Sequence, residues 1–199
     1  DSPTGTKSAA RFPAVIYVPP PSSQFQKSFD ERSQLLANVG FYFLAVNYRG
    51  CDGYGREFSA LANTPNAARD ILAARAELLK DASVDPNRVF LCTISGGSDV
   101  VFELLATAPS HWRGVALDKP STAPLDWRLS PKQLPPLLVI AGDADPAFGG
   151  ITRFESWARS RGVKLQFVVH TNSGHFTFKV SERKDKLDQV AKFFLRSAE

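Results

Sequence analysis

A three-layer α/β/α sandwich, built on a mostly parallel sheet of about six strands, is the fold class this sequence predicts. Three observations carry it. Short apolar runs alternate with longer amphipathic segments along the whole chain. Most of the runs are solidly apolar rather than alternating, the pattern of strands covered on both faces. The 199 residues, 43% hydrophobic and 22% charged, suit a single globular domain over residues 1–199 and exclude a disordered, collagenous or coiled-coil chain.

The elements follow in order. Residues 14–18 (AVIYV) read as the first strand, stopped by Pro19-Pro20-Pro21, and residues 29–38 as a helix ended by Gly40. Residues 41–47 (FYFLAVN) read as the second strand, and 48–64 as a loop carrying Gly50, Gly53 and Gly55. Pro65 suits the first turn of a helix running to about residue 80, with Ile71, Leu72, Leu78 and Leu79 as its apolar stripe. Asp85-Pro86-Asn87 is turn chemistry. Residues 89–94 form the third strand, 98–108 a helix ended by Pro109, and 114–117 a short fourth strand. Residues 118–136 hold five prolines and read as loop, too short for a helical lid, so the fold has almost no cap. Residues 137–141, 151–161, 165–169 and 181–197 complete it as strand, helix, strand and helix.

Composition narrows the partners. Lys and Arg outnumber Asp and Glu by 24 to 20, and a net charge of +4 scattered along the chain gives no nucleic-acid footprint. The longest apolar run, residues 41–46, falls far short of the ~20 residues of a membrane helix, so no membrane partner is expected. Two cysteines make no disulfide framework. Cys92 falls in a strand and Cys51 in a loop, and both read as free thiols that leave the compartment open. The chain starts at Asp1 and contains no methionine, as expected of a processed chain, a fragment of a longer one, or an edited sequence. Oligomeric state is not set by anything in the sequence.

In parallel α/β sheets, chemistry gathers at the C-terminal ends of the strands. The third strand ends in Thr93-Ile94-Ser95-Gly96-Gly97, a strand–Ser–helix turn that meets the G-x-S-x-G nucleophile elbow except that Thr93 replaces the first glycine. The fifth ends in Gly142-Asp143-Ala144-Asp145-Pro146, and the sixth leads into Ser173-Gly174-His175-Phe176. A serine hydroxyl needs a base within hydrogen-bond reach, and the base needs an orienting carboxylate. Ser95, His175 and Asp145 supply those roles in the chain order Ser, Asp, His, at spacings of 50 and 30 residues. The Gly96 N–H is the expected oxyanion donor.

These residues resemble the catalytic domain of the prolyl oligopeptidase family of serine peptidases, within the α/β-hydrolase superfamily. The likeness runs from about residue 12 to 194. It is strongest at Asn47-Tyr48-Arg49-Gly50-Cys51-Asp52-Gly53-Tyr54-Gly55-Arg56-Glu57-Phe58, with Asp85-Pro86-Asn87-Arg88, Ser130-Pro131 and Ser173-Gly174-His175 in support. The resemblance implies a serine hydrolase acting on a small-molecule ester or a peptide, as peptidase or esterase, and it favours Asp145 over Asp143 as the acid. Family members usually carry an N-terminal β-propeller, which is not visible in this chain.

Three departures matter: Thr93 puts a β-branched side chain near the elbow, and Ser98, where a glycine is usual, is a mild change. The third is serious. Where relatives have H-G-G-P or a tyrosine-containing equivalent, this chain has Val18-Pro19-Pro20-Pro21, and proline has no N–H to give. The sequence therefore supports a triad hydrolase of reduced activity, with a non-catalytic binding relative as the alternative. Trp127, Phe148 and Phe176 are candidates to line an apolar substrate pocket. His111 and His170 read as ordinary histidines, and Arg49 and Asp70 as a structural pair. No metal-ligand motif is present and no cofactor is expected.

Overall fold

The computed structural model describes residues 11–21, 23, 29–121 and 129–199. Its six strands form one sheet in which every pair is parallel, ordered β2-β1-β3-β4-β5-β6. The strands are β1 (Phe12–Val18), β2 (Tyr42–Ala45), β3 (Val84–Ile94), β4 (Gly114–Asp118), β5 (Leu137–Gly142) and β6 (Leu165–His170). The helices are α1 (Glu31–Asn38), α2 (Arg56–Ala60), α3 (Thr64–Leu78), α4 (Gly97–Thr107), α5 (Phe148–Ser160) and α6 (Val180–Ala198).

The solid apolar runs are solid because each strand serves two cores. Ile16, Val18, Leu91, Val115, Leu117, Val139 and Ala141 face one buried cluster, completed by residues of α3, α4 and α5. Their neighbours in the chain, Val15, Tyr17, Phe90, Cys92, Ala116, Leu138 and Ile140, face the other, completed from α1 and α6. Side chains alternate faces along a strand, so both parities must be apolar when both faces are covered. On the second face Phe90 meets Phe194 at 5.0 Å and Phe41 at 5.8 Å between ring centroids. Offset contacts of this kind add to what the buried area contributes.

Several boundaries differ from the sequence reading, each for a local reason. Asp30 caps α1 by accepting the Ser33 N–H at 2.8 Å, so that helix starts two residues later than expected. Asn63 caps α3 in the same way through Asn66. The Asp85-Pro86-Asn87 turn exists, yet it lies inside β3. Asp85 accepts the Asn87 N–H at 2.9 Å, and the turn is absorbed as a register shift against β1. The glycine-rich loop holds the short α2, which no apolar periodicity announces. Cys51 is fully buried in that loop, and both cysteines are free thiols. Burial pushes the Cys92 thiol up to about 12 and raises that of Cys51 as well.

The chain runs from β1 to β2 on one side, then crosses back to place β3 on the other side of β1. That reversal opens a crevice at the C-terminal ends of β1 and β3, the usual ligand site of open parallel sheets.

Candidate active site

Ser95 occupies the turn between β3 and α4 with φ 52°, the left-handed region that a side chain rarely enters. The turn is pinned on both sides. Ser95 N–H donates to Asp118 O at 3.0 Å, and its carbonyl accepts the Ser98 N–H at 3.0 Å and the Ser98 hydroxyl at 2.7 Å. Ser98, fully buried, also pairs with the Ser121 hydroxyl at 2.9 Å. The glycine departure at this position thus becomes an extra tie on the elbow. Thr93 is likewise buried, its hydroxyl donating to Val18 O at 2.8 Å. A Cβ at Gly97 would lie 2.3 Å from that hydroxyl and 2.6 Å from Val18 O, so the last glycine of the motif is obligatory.

The three residues the sequence separates by 50 and 30 positions come together. Ser95 Oγ lies 2.8 Å from His175 Nε2, and His175 Nδ1 lies 2.8 Å from Asp145 Oδ2. The Asp145 side chain is only 1% exposed, and its other oxygen accepts the Ala147 N–H at 2.8 Å. Both carboxylate oxygens are therefore committed, and the imidazole has one orientation to adopt. Asp143 is exposed and meets the histidine loop only through its backbone, donating to His170 O. His111 is an exposed residue of a short 3-10 turn. His170 sits beside Glu182 and Asp185 at 3.7 and 3.1 Å, away from Ser95's hydrogen bonds.

The oxyanion side is unusual. The Gly96 N–H takes no hydrogen-bond partner among the described residues. Pro21 packs against the Cα side of Gly96, its Cδ 3.1 Å from where a Gly96 Cβ would be. The carbonyls of the segment are occupied: Val18 O by Thr93, Pro19 O by the Tyr48 hydroxyl at 2.8 Å, and Pro20 O by the Ser23 N–H at 3.2 Å. Burial raises the Tyr48 phenol well above its ordinary range, so it stays protonated and committed to Pro19. Prolines 19 to 21 donate nothing.

A cavity of about 650 Å³ opens beside Ser95 and His175, lined also by Pro20, Ser23, Ile94, Phe176, Asp118 and Lys186. Phe176 is 74% exposed at its mouth, edge-on to the His175 ring at 5.5 Å. Phe148 packs instead against the core under α5 and does not line this cavity. Trp127 lies outside the described residues. The pocket wall is more charged than three aromatics suggested, because α1 and α6 turn Arg32, Arg183 and Lys186 toward it with acidic partners. Among the described residues no cluster of His, Cys, Asp or Glu is arranged to hold a metal ion, and no helix is long and apolar enough to cross a membrane.

Arg49 and Asp70 form the expected pair, with two-pronged contacts of 2.7 and 2.9 Å and the Arg49 N–H on the same carboxylate. Burial pushes Asp70 upward, but the hydrogen bonds and charge of Arg49 outweigh it and hold the carboxyl below its ordinary value. What the sequence reading missed lies beneath the histidine loop: Lys119, fully buried, with its ammonium among Ser173, Gly174, Thr177 and Glu182. A lysine just past an apolar strand reads as a surface residue, and no spacing signals its partners 54 to 63 positions away.

A parallel sheet bearing a serine on a strained strand-to-helix turn, with acid and histidine on the loops after later strands, defines an α/β-hydrolase fold. Comparison with known proteins places the chain more narrowly. The profile of the prolyl oligopeptidase family matches residues 27–134, and the chain belongs to that family. That stretch includes Ser95 and ends before Asp145 and His175. Among curated proteins, acylamino-acid-releasing enzyme 2 of Oryza sativa subsp. japonica is 31% identical over 105 residues, half of this chain and 13% of that protein. Among solved structures, the Pyrococcus horikoshii acylaminoacyl peptidase superposes with a TM-score of 0.84 at 18% identity, covering 97% of this chain and 38% of that one. The Porphyromonas gingivalis dipeptidyl peptidase 4 superposes with a TM-score of 0.80 at 19% identity, covering 96% and 32%. At such identities the likeness establishes the fold. The chain spans about a third of these solved relatives and much less of the rice protein.

Proposed function

We propose that this domain is a serine hydrolase that cleaves ester and peptide amide bonds through an acyl-enzyme on Ser95. The observation that carries the reading is the unbroken chain of two 2.8 Å contacts, Ser95 to His175 to Asp145, at a serine held with φ 52°. His175 Nε2 takes the hydroxyl proton as Oγ attacks the carbonyl carbon. Asp145, bonded to Nδ1, stabilises the imidazolium that forms. The imidazolium then protonates the departing alcohol or amine. Water, deprotonated by the same nitrogen, releases the acyl group and restores Ser95. Gly96 N–H stabilises the oxyanion at each tetrahedral stage. The family and the acylamino-acid-releasing relatives make an N-acylated peptide the first amide substrate to try.

The test is covalent. A fluorophosphonate probe should add one label at Ser95, located by peptide mapping, and His175→Ala should abolish it, because an unactivated serine does not attack phosphorus. Folded protein with no label, or with a label elsewhere, refutes the reading.

A further inference from the structure

We propose that Lys119, with Glu182 and Ser173, is a buried positioning unit that sets both the loop carrying His175 and the charge beneath it. The inference rests on Ser95, His175 and Asp145 acting as a triad. Lys119 leaves the end of β4 with φ 45°, and its N–H donates to Ile140 O at 2.7 Å. Its side chain is 0% exposed. An ammonium has three protons to donate, and burying it is unfavourable unless they are all taken. Here four acceptors surround it: Ser173 Oγ at 2.8 Å, Gly174 O at 2.5 Å, Thr177 Oγ1 at 3.1 Å and Glu182 Oε1 at 3.0 Å. Glu182, in the first turn of α6, also accepts the Ser173 hydroxyl at 2.5 Å.

The placement of those acceptors is the argument. Residues 173 and 174 precede His175, and Thr177 follows it. One ammonium therefore grips the loop on both sides of the base and ties it to the ends of β4 and α6. An ion pair that merely joined α6 to the sheet would need none of the loop contacts. An apolar pair of similar volume would hold the layers equally well. The other titratable groups facing this unit are His170, 3.7 Å from Glu182, with Asp185 beyond it, and Lys186, which bonds Thr177 at 3.0 Å and Asp118 at 2.5 Å. Asp145 contacts His175 Nδ1 at 2.8 Å.

The test removes one charge at a time. Lys119→Met leaves the Glu182 carboxylate alone under the loop and favours the imidazolium. Glu182→Gln leaves the ammonium alone and disfavours it. His175 is a base only when neutral, so the acid limb of kcat/KM on a p-nitrophenyl ester should move to higher pH in the first variant and to lower pH in the second. A unit charge about 10 Å from an imidazole at an effective dielectric of about 20 shifts its titration by about one pH unit, so a displacement of about half a unit is expected after screening. Lys119→Met should also lower kcat about tenfold or more, with KM within about threefold. The chain has three histidines, so the His175 ring signal can be followed by NMR titration without turnover. Opposite displacements in the two variants bear the proposal out. Unmoved or parallel displacements in folded variants overturn it. Should Lys119→Met not fold, Glu182→Gln carries the test alone: a downward displacement supports the unit, and an unmoved limb overturns it. Wild-type protein unlabelled by the fluorophosphonate defeats the triad reading, whereas labelled wild type with unmoved limbs defeats this inference alone.

Discussion

A single methyl group at position 142 should dismantle the site without touching any of its three members. Gly142 ends β5, paired with His170 of β6, and the turn that carries His175 lies directly across it. A Cβ there would lie 2.1 Å from Ser173 O, 2.8 Å from Ser173 C and 3.0 Å from Ser173 Oγ. Real Cβ atoms essentially never come inside 3.0 Å, so the Ser173 carbonyl must retreat by about 1 Å. It cannot swing away freely, since it accepts the Ala144 N–H at 3.0 Å. Overpacking of this sort costs about 1–3 kcal/mol. The larger effect falls on geometry. His175 is two residues on, and its 2.8 Å contacts to Ser95 and Asp145 become non-bonding once stretched by that amount. Misplacement of about 1 Å can cost ~10²-fold in rate. Gly142→Ala should therefore label with fluorophosphonate about 10²-fold more slowly, and its urea midpoint should fall as those 1–3 kcal/mol imply. Gly149→Ala is the control. It adds a Cβ whose nearest neighbour is 3.8 Å away in α5, so it should label at the wild-type rate and be no less stable. A Gly142→Ala protein that labels and unfolds like wild type would show that the loop does not bear on this position, and the argument would fall.

Two further outcomes follow from the same geometry. With the Gly96 N–H as the one proposed oxyanion donor and three prolines in the segment that would supply a second, the protein should hydrolyse activated esters weakly and unactivated amides hardly at all, since one lost donor costs about 10²–10³ in kcat. Replacing Val18-Pro19-Pro20 by His-Gly-Gly should raise kcat more than it alters KM; wild-type amide turnover near ~10 s⁻¹ would mean that another group, such as the Ser23 hydroxyl, already supplies the donor. Asp70 supplies the second. Its carboxyl is held below the ordinary value by Arg49, so it stabilises the fold above the unfolded value of about 3.9 and loses that contribution as pH falls through the lower, folded value. In urea titrations Asp70→Asn should be less stable than wild type at pH 7, and the gap should close as pH drops below about 4; a gap independent of pH would assign the loss to packing instead of charge.

The sheet was legible because burial on two faces leaves a pattern in the chain itself. Residues 14–18, 89–94 and 137–141 read as solid apolar runs, and each is a strand feeding two cores. That Ser95, Asp145 and His175 come together was legible for a related reason. Each residue follows a strand end, and strand ends in a parallel sheet share one edge of the molecule. The identity of the acid needed more than composition. Asp143 and Asp145 look alike in sequence, and the fold buries one and exposes the other. Short elements without periodicity, such as α2, carry no such pattern, and an Asx turn inside β3 looks the same as one that ends a strand. The burial of Cys51 was not legible, because a loop's composition says nothing about what packs over it. Phe148 and Phe176 show the limit most plainly: both are aromatic residues near active-side loops, and only packing sends one under α5 and leaves the other at the cavity mouth. Lys119 is the extreme case. Its burial depends on four acceptors drawn from residues 54 to 63 positions downstream, and a long-range meeting of that kind is written in no local pattern. The sequence by itself determined the layers, the strand parity and the candidate side chains at the strand ends, because those follow from periodicity and local turn chemistry. The tertiary structure alone decided which carboxylate is buried, which carbonyls the prolines present, and which charge lies under the histidine, because each depends on contacts between segments that only folding brings together.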